Sequence, residues 1–210
     1  MRFAMGIDYD GANYRGWQTQ QEGVPTIQLT LEQALSQIAN HPINVHAAGR
    51  TDAGVHASGM IVHFDTDAIR GHRNWLLGAN RLLPNDIAVR WIHPVSDDFH
   101  ARFKAVARRY RFVIFNSPLR SSMLAGKVTW HYHHLDVERM KLAAQYLVGV
   151  HDFTSFRAVG CQARNPVRDV HFLNVSQLGS LIVLDIQADG FLYHMVRNIA
   201  GVLMAIGQGK

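Results

Sequence analysis

The order of elements along this chain occurs twice, and that repetition restricts the fold more than any single residue does. In residues 1–105, Phe3, Met5, Ile7 and Tyr9 alternate with Arg2, Ala4, Gly6 and Asp8, the period of a strand with one apolar face. Asp10-Gly11 ends it. Thr26 can cap a helix reaching about Asn40, with Ile27, Leu31, Leu35 and Ile38 on one side. Strands are expected over residues 43–47 and 59–65. A second helix carries Trp75, Leu76, Ala79 and Leu83 and stops at Pro84. Ile87, Val89 and Trp91 then alternate as a strand. The order β-α-β-β-α-β is the ferredoxin-like unit.

Residues 106–210 begin the same way. Residues 107–115 are aromatic and β-branched, with Arg108, Arg109 and Arg111 near the start, and read as a strand. Residues 116–135 read as a long loop. Val137, Met140, Ala144 and Leu147 mark one side of a helix, strands are expected at about 170–175 and 181–186, and an apolar helix runs over 191–206. This is β-α-β-β-α, the first order without its last strand. The expectation is an α+β chain of two ferredoxin- or RRM-like halves, 1–105 and 106–210. Their mixed, mostly antiparallel central sheet would be flanked by helices. The repeat also predicts a further strand beyond Lys210, so the chain reads as cut short, with an exposed sheet edge and lower stability than a longer form.

Composition narrows the function classes. A chain that is 48% hydrophobic and 18% charged buries a core and is not disordered. Its net charge of +5 favours an acidic partner such as nucleic acid, although a basic soluble protein would look the same. Cys161 is the one cysteine, which rules out an internal disulfide and points to a reducing compartment. Neither a signal peptide nor a span long enough for a bilayer is apparent, so a cytoplasmic protein is expected.

Chemistry concentrates in loops. Residues 48–57, Ala-Gly-Arg-Thr-Asp-Ala-Gly-Val-His-Ala, set Arg50 and Asp52 between Gly49 and Gly54. The two glycines allow backbone angles closed to other residues and let a second backbone or a substrate come near. An Asp so placed is either a turn residue bonding its own backbone or a carboxylate held in a fixed place. Residues 12–18 mix aromatics, a cation and amides. Arg15, Trp17 and Gln18 there suit stacking on bases and gripping phosphates, although Trp17 can equally fold into the core. Asp8 and Asp10 lack the bidentate Glu of a calcium loop. His131, His133 and His134 have no ligand-spaced Cys or acidic companion, so they read as solvated or phosphate-facing rather than metal-binding. Gly207-Gln208-Gly209-Lys210 lacks the Ser/Thr and helix of a P-loop.

Four stretches carry a resemblance. Residues 49–57, 9–18, 149–168 and 191–198 together resemble the tRNA pseudouridine synthase A family, whose likeness extends over nearly the whole chain. That resemblance implies the pseudouridine synthase fold, isomerisation of uridine to pseudouridine in the tRNA anticodon stem-loop, no metal or other cofactor, and a homodimer. The family's chains continue past the position of Lys210.

The resemblance also implies roles. Asp52 matches the family's catalytic Asp. Arg197 is the one formally charged residue in the apolar run 191–206 and is expected to be buried, where a guanidinium requires a carboxylate. Asp52 is the family's partner for it, and Asp189 or Asp185 would make a purely structural bridge. Tyr110 matches a tyrosine that stacks on the target base, or is simply a core strand tyrosine. Arg50 matches an arginine that holds the flipped-out nucleotide, or is a phosphate contact or surface charge. Arg15, Arg108, Arg109, Arg111, Arg157, Arg164 and Arg168 are candidate contacts to the RNA backbone. A non-catalytic RRM-like RNA-binding module is the alternative from another class. It would lack the aromatic-rich third strand, since residues 59–65 offer only Phe64. A carboxylate-dependent nucleoside hydrolase is a third.

Overall fold

The computed structural model describes residues 1–210. One of its two units, Met1–Ala105, is built on β1 (Arg2–Tyr9). β1 pairs antiparallel with β3 (Ala57–Asp65) on one side and with β4 (Ile87–Val95) on the other, and β2 (Val45–Ala47) lies outside β3. The order β2-β3-β1-β4 is the ferredoxin-like one. α1 (Ile27–Ala39) and α2 (His72–Leu82) supply the apolar cover. Phe3, Met5, Ile7 and Tyr9 join Leu31, Leu35, Val62, Phe64 and Trp75 in one buried cluster. Each such side chain contributes about 1.5–3 kcal/mol by leaving water. Thr26 caps α1 by accepting the Leu29 N–H at 3.4 Å, and Asn40 ends it in the left-handed region at φ 61°.

The other face of this sheet carries Ala4, Gly6, His63 and Trp91. A Cβ at Gly6 would lie 2.2 Å from the Trp91 indole nitrogen, so the ring lies against the bare backbone of β1. His63 stacks on His46 at 4.9 Å and meets His100 edge-on at 4.6 Å. Its Nδ1 accepts the Ala101 N–H, which leaves the proton of the neutral ring on Nε2. Burial, then the neighbouring His100 and His46, pushes the His63 pKa down to about 4.

The second unit, Val106–Lys210, has a five-stranded sheet in the order β6-β5-β9-β8-β7. Its strands are β5 (Arg108–Asn116), β6 (Thr129–His131), β7 (Gly149–Asp152), β8 (Val167–Leu178) and β9 (Leu181–Ala188). α3 (Val137–Gln145) and α4 (Met195–Gly207) cover it, with Met140, Leu173, Leu184, Ile199 and Leu203 in the core. Every strand pair in the protein is antiparallel except β5 with β6.

The α+β class is the one expected, with its strands in two sheets. Three local readings are corrected. The expected loop at 116–135 contains β6, a strand of three residues that depends on pairing with Ile114–Asn116 of β5. β7 is likewise an edge strand made by pairing with β8. The last helix starts at Met195 rather than at 191, because His194 sits at φ 58° and closes the preceding turn in a conformation no helix continues. No helix is long and apolar enough to cross a membrane.

Candidate active site

Asp52 is half-buried and opens a turn in which the Val55 N–H donates to the Asp52 carbonyl at 3.2 Å. Gly54 completes that turn at φ +75°. The main chain at Asp52 therefore turns, and the side chain is carried by that turn.

What fixes the turn is a second loop. The Trp17 N–H donates to the Thr51 carbonyl at 2.9 Å, and the Gly54 N–H donates to the Tyr14 carbonyl at 3.3 Å. Below them the Tyr9 hydroxyl and Thr51 Oγ1 share a buried hydrogen bond of 2.8 Å. His56 Nδ1 lies 2.8 Å from Asp10 Oδ1 and 3.2 Å from the Gly11 nitrogen. The Tyr14 hydroxyl donates to Asp86 at 2.7 Å, and burial followed by that carboxylate raises the phenol's pKa. Residues 10–17 and 50–56 thus lie back to back, tied at four places.

The close approach is possible only with particular glycines, and they are not the two that flank Asp52. A Cβ on Gly11 would stand 2.1 Å from the Val55 carbonyl oxygen. One on Gly16, already at φ +99°, would stand 2.8 Å from the Thr51 carbonyl oxygen. Gly49, by contrast, has open space around its missing side chain and no positive φ. The spacing around Asp52 directs attention to Gly49 and Gly54, whereas Gly54, Gly11 and Gly16 carry the geometry. Tyr9 and Thr51 are missed by sequence reasoning, because a strand tyrosine and a loop threonine give no sign that they will meet.

The remaining expected residues of this unit divide. Arg50, Arg15 and Gln18 are exposed. Trp17 is 2% exposed and packs 6.2 Å from Tyr9, so the expectation that it contacts a nucleotide is replaced by its alternative, a core tryptophan. The Trp17 ring anchors the loop whose N–H holds Thr51.

In the second unit, Tyr110 is half-buried on β5 and packs edge-on against Phe191 at 5.1 Å. Arg109 and Arg111 meet Asp185 at 2.5 and 3.2 Å. The Arg109 hydrogen bond, against some opposition from burial, holds the Asp185 carboxyl below the usual carboxylate range. Arg108 donates to the Asp189 carbonyl at 3.0 Å. Arg157 is exposed and donates to the Cys161 carbonyl at 2.7 Å. Arg197 is exposed, which corrects the expectation of a buried guanidinium. α4 buries Met195, Ile199, Ala200, Leu203 and Gly207, and Arg197 lies on the opposite side with Gly201 and Val202. No three His, Cys, Asp or Glu side chains are grouped so as to hold a metal ion.

The comparisons with known proteins agree with one another. A family profile described as tRNA pseudouridine synthase matches residues 5–104 and 143–210. Over 209 residues the chain is 55% identical to a tRNA pseudouridine synthase A of Alcanivorax borkumensis, covering 100% of this chain and 78% of that protein. A tRNA pseudouridine synthase A of Acinetobacter baylyi is 57% identical over 99% of this chain and 77% of its own length. One of Pseudomonas aeruginosa is 56% identical over 100% and 73%. Asp52, Arg50 and Arg197 lie within the ranges matched by the family profile, and Tyr110 and Arg108 lie between them.

Proposed function

The chain belongs to the tRNA pseudouridine synthase family, and from that premise we propose that Asp52 is the carboxylate that acts on a uridine of the tRNA anticodon stem-loop. The observation that carries this is the double-loop frame, which fixes the main chain on both sides of half-buried Asp52 by backbone bonds at Thr51 and Gly54 and by the Tyr9–Thr51 side-chain bond. A rigidly held group is what a bond rearrangement at one sugar carbon requires.

The reaction is an isomerisation. The bond from uracil N1 to ribose C1′ breaks, the base turns over, and C5 bonds to C1′. The C5 proton leaves and N1 gains one, so nothing is added or lost. The ribose carbon becomes electron-poor when the base departs. A carboxylate beside it can attack C1′ or take the proton of the neighbouring sugar carbon, as carboxylates do on cation-like sugars in glycosidases. The target base must leave its stack first. Arg50, exposed two residues before Asp52, is suited to hold the flipped nucleotide, and Tyr110 to stack on the base. Arg197 is included in the same reaction on the strength of the family resemblance of residues 191–198. Exposed Arg15 and Gln18, with Arg108 and Arg157, suit contacts to the RNA backbone. A tRNA substrate suits a cytoplasmic enzyme, and a substrate long relative to 210 residues suits a homodimer.

Asp52→Ala tests the reading. Pseudouridine formation in an unmodified tRNA transcript should fall by at least about a thousandfold, with tRNA affinity kept within about threefold. Unchanged activity would refute the proposal. Release of free uracil by the unaltered protein would make it a nucleoside hydrolase instead.

A further inference from the structure

One surface of the second unit has no part in the site above. Residues 117–135 contain no Asp or Glu, while they hold Arg120, Lys127, His131, His133 and His134. They also lie between the two ranges matched by the family profile. Trp130 is 45% exposed and Tyr132 56%. Rings of that size left open to water mark a contact surface more often than a defect.

The rings are presented on a fixed backbone. The Trp130 indole N–H donates to the Ser117 carbonyl at 2.9 Å, which holds the ring by its edge. The Asn116 amide donates to the carbonyls of His131 and His133 and accepts the Leu135 N–H, at 3.0, 2.5 and 3.0 Å. β6 itself pairs with β5. Trp130 and Tyr132, two residues apart, lie 6.2 Å centroid to centroid, and His133 lies 3.8 Å from Tyr132. The result is a short row of aromatic rings, held at one edge, in a stretch that holds Arg, Lys and His and no carboxylate.

A stretch with basic side chains and no carboxylate discriminates against a cationic partner and suits a polyanion. Exposed aromatic faces add an attraction for flat π systems. Unpaired RNA offers both, because its bases stack and its phosphates carry charge. We propose that Trp130 and Tyr132 form a stacking platform for unpaired bases of the RNA substrate, with Arg120 and Lys127 serving its phosphates. This rests on the reading of the chain as a tRNA-modifying enzyme.

The test measures binding of an unmodified tRNA transcript across a salt series, with pseudouridine formation and sedimentation run beside it. Trp130→Ala with Tyr132→Ala should weaken binding by about tenfold or more and leave the salt slope unchanged. Lys127→Gln and Arg120→Gln should each lower the slope by about one. RNA should also quench the part of the unaltered protein's tryptophan emission that Trp130→Phe removes. That readout stands even where the alanine variant fails to fold. A folded alanine variant with unchanged affinity overturns the platform, as does absence of that quenching. A change in sedimentation with RNA affinity intact overturns it too and makes the surface a contact between protein copies. If the unaltered enzyme forms pseudouridine while these results fail, only the platform falls. If it neither binds nor modifies tRNA, both readings fall.

Discussion

Asp52 and Arg197 are carried on frames of different kinds. In the first unit the bonds nearest Asp52 are main chain on main chain, Trp17 N–H to the Thr51 carbonyl and Gly54 N–H to the Tyr14 carbonyl, with His56 and the Tyr9–Thr51 pair adding side-chain ties farther off. In the second, the start of α4 is joined to residues 153–163 largely by side chains. Asn198 donates its amide to the Phe156 carbonyl at 2.9 Å, the Tyr193 N–H reaches the Cys161 sulfur at 3.4 Å, and only Ala158 N–H to the Tyr193 carbonyl is main chain alone. A main-chain frame demands residues without side chains at its closest points. A side-chain frame makes no such demand and yields more easily when one member is lost.

The sharpest way to break this contrast is at Gly16. Gly16→Ala places a Cβ against the Thr51 carbonyl in a left-handed conformation, at a cost of about 3 kcal/mol. It should reduce pseudouridine formation about a hundredfold by moving Asp52. A thermal melt and a single-turnover assay read the two effects.

Lowering pH separates the units by the groups they bury. His63 is disfavoured as a cation in the folded first unit, with its pKa near 4. Stability from that group is complete above about pH 6.5 and declines toward pH 4, by roughly 3 kcal/mol in all. Asp185 in the second unit is held ionised by Arg109, so its contribution fades only below about pH 4. Hydrogen exchange should therefore show the strands around His63 loosening at a higher pH than the strands around Asp185. His63→Gln, whose amide oxygen can still accept the Ala101 N–H, should remove that difference.

Smaller effects finish the comparison. Asn198→Ala leaves the Phe156 carbonyl without this donor and should cost about 1 kcal/mol in a urea melt, less than Gly16→Ala. Gly49→Ala meets nothing within 4 Å and should change stability and activity by less than about 0.5 kcal/mol. A large loss at Gly49 would show that the frame is not where the hydrogen bonds place it.

Much of the fold is legible because its signals are local. The alternation of Phe3, Met5, Ile7 and Tyr9 gives β1, and Thr26 gives the start of α1 within a residue. β6 and β7 are not legible, since strands of three and four residues are defined by a neighbour rather than by their own pattern. Arg197 misleads for a different reason. Val202, 45% exposed, continues an apolar run around the outer side of α4, so the sequence looks buried on every side. The Asp52 stretch is legible as a motif, but its support is not. Gly11 and Gly16 lie some forty residues away in sequence, and nothing local announces which carbonyl they will meet.

The interlaced pair of loops has a consequence for anyone who would transplant this chemistry. Grafted alone, residues 50–56 would arrive in a new scaffold with the Thr51 carbonyl and the Gly54 amide lacking their native counterparts. The portable module is therefore a discontinuous one, both loops together with the tyrosine at the end of β1. A length change in either loop has to be answered by a matching change in the other.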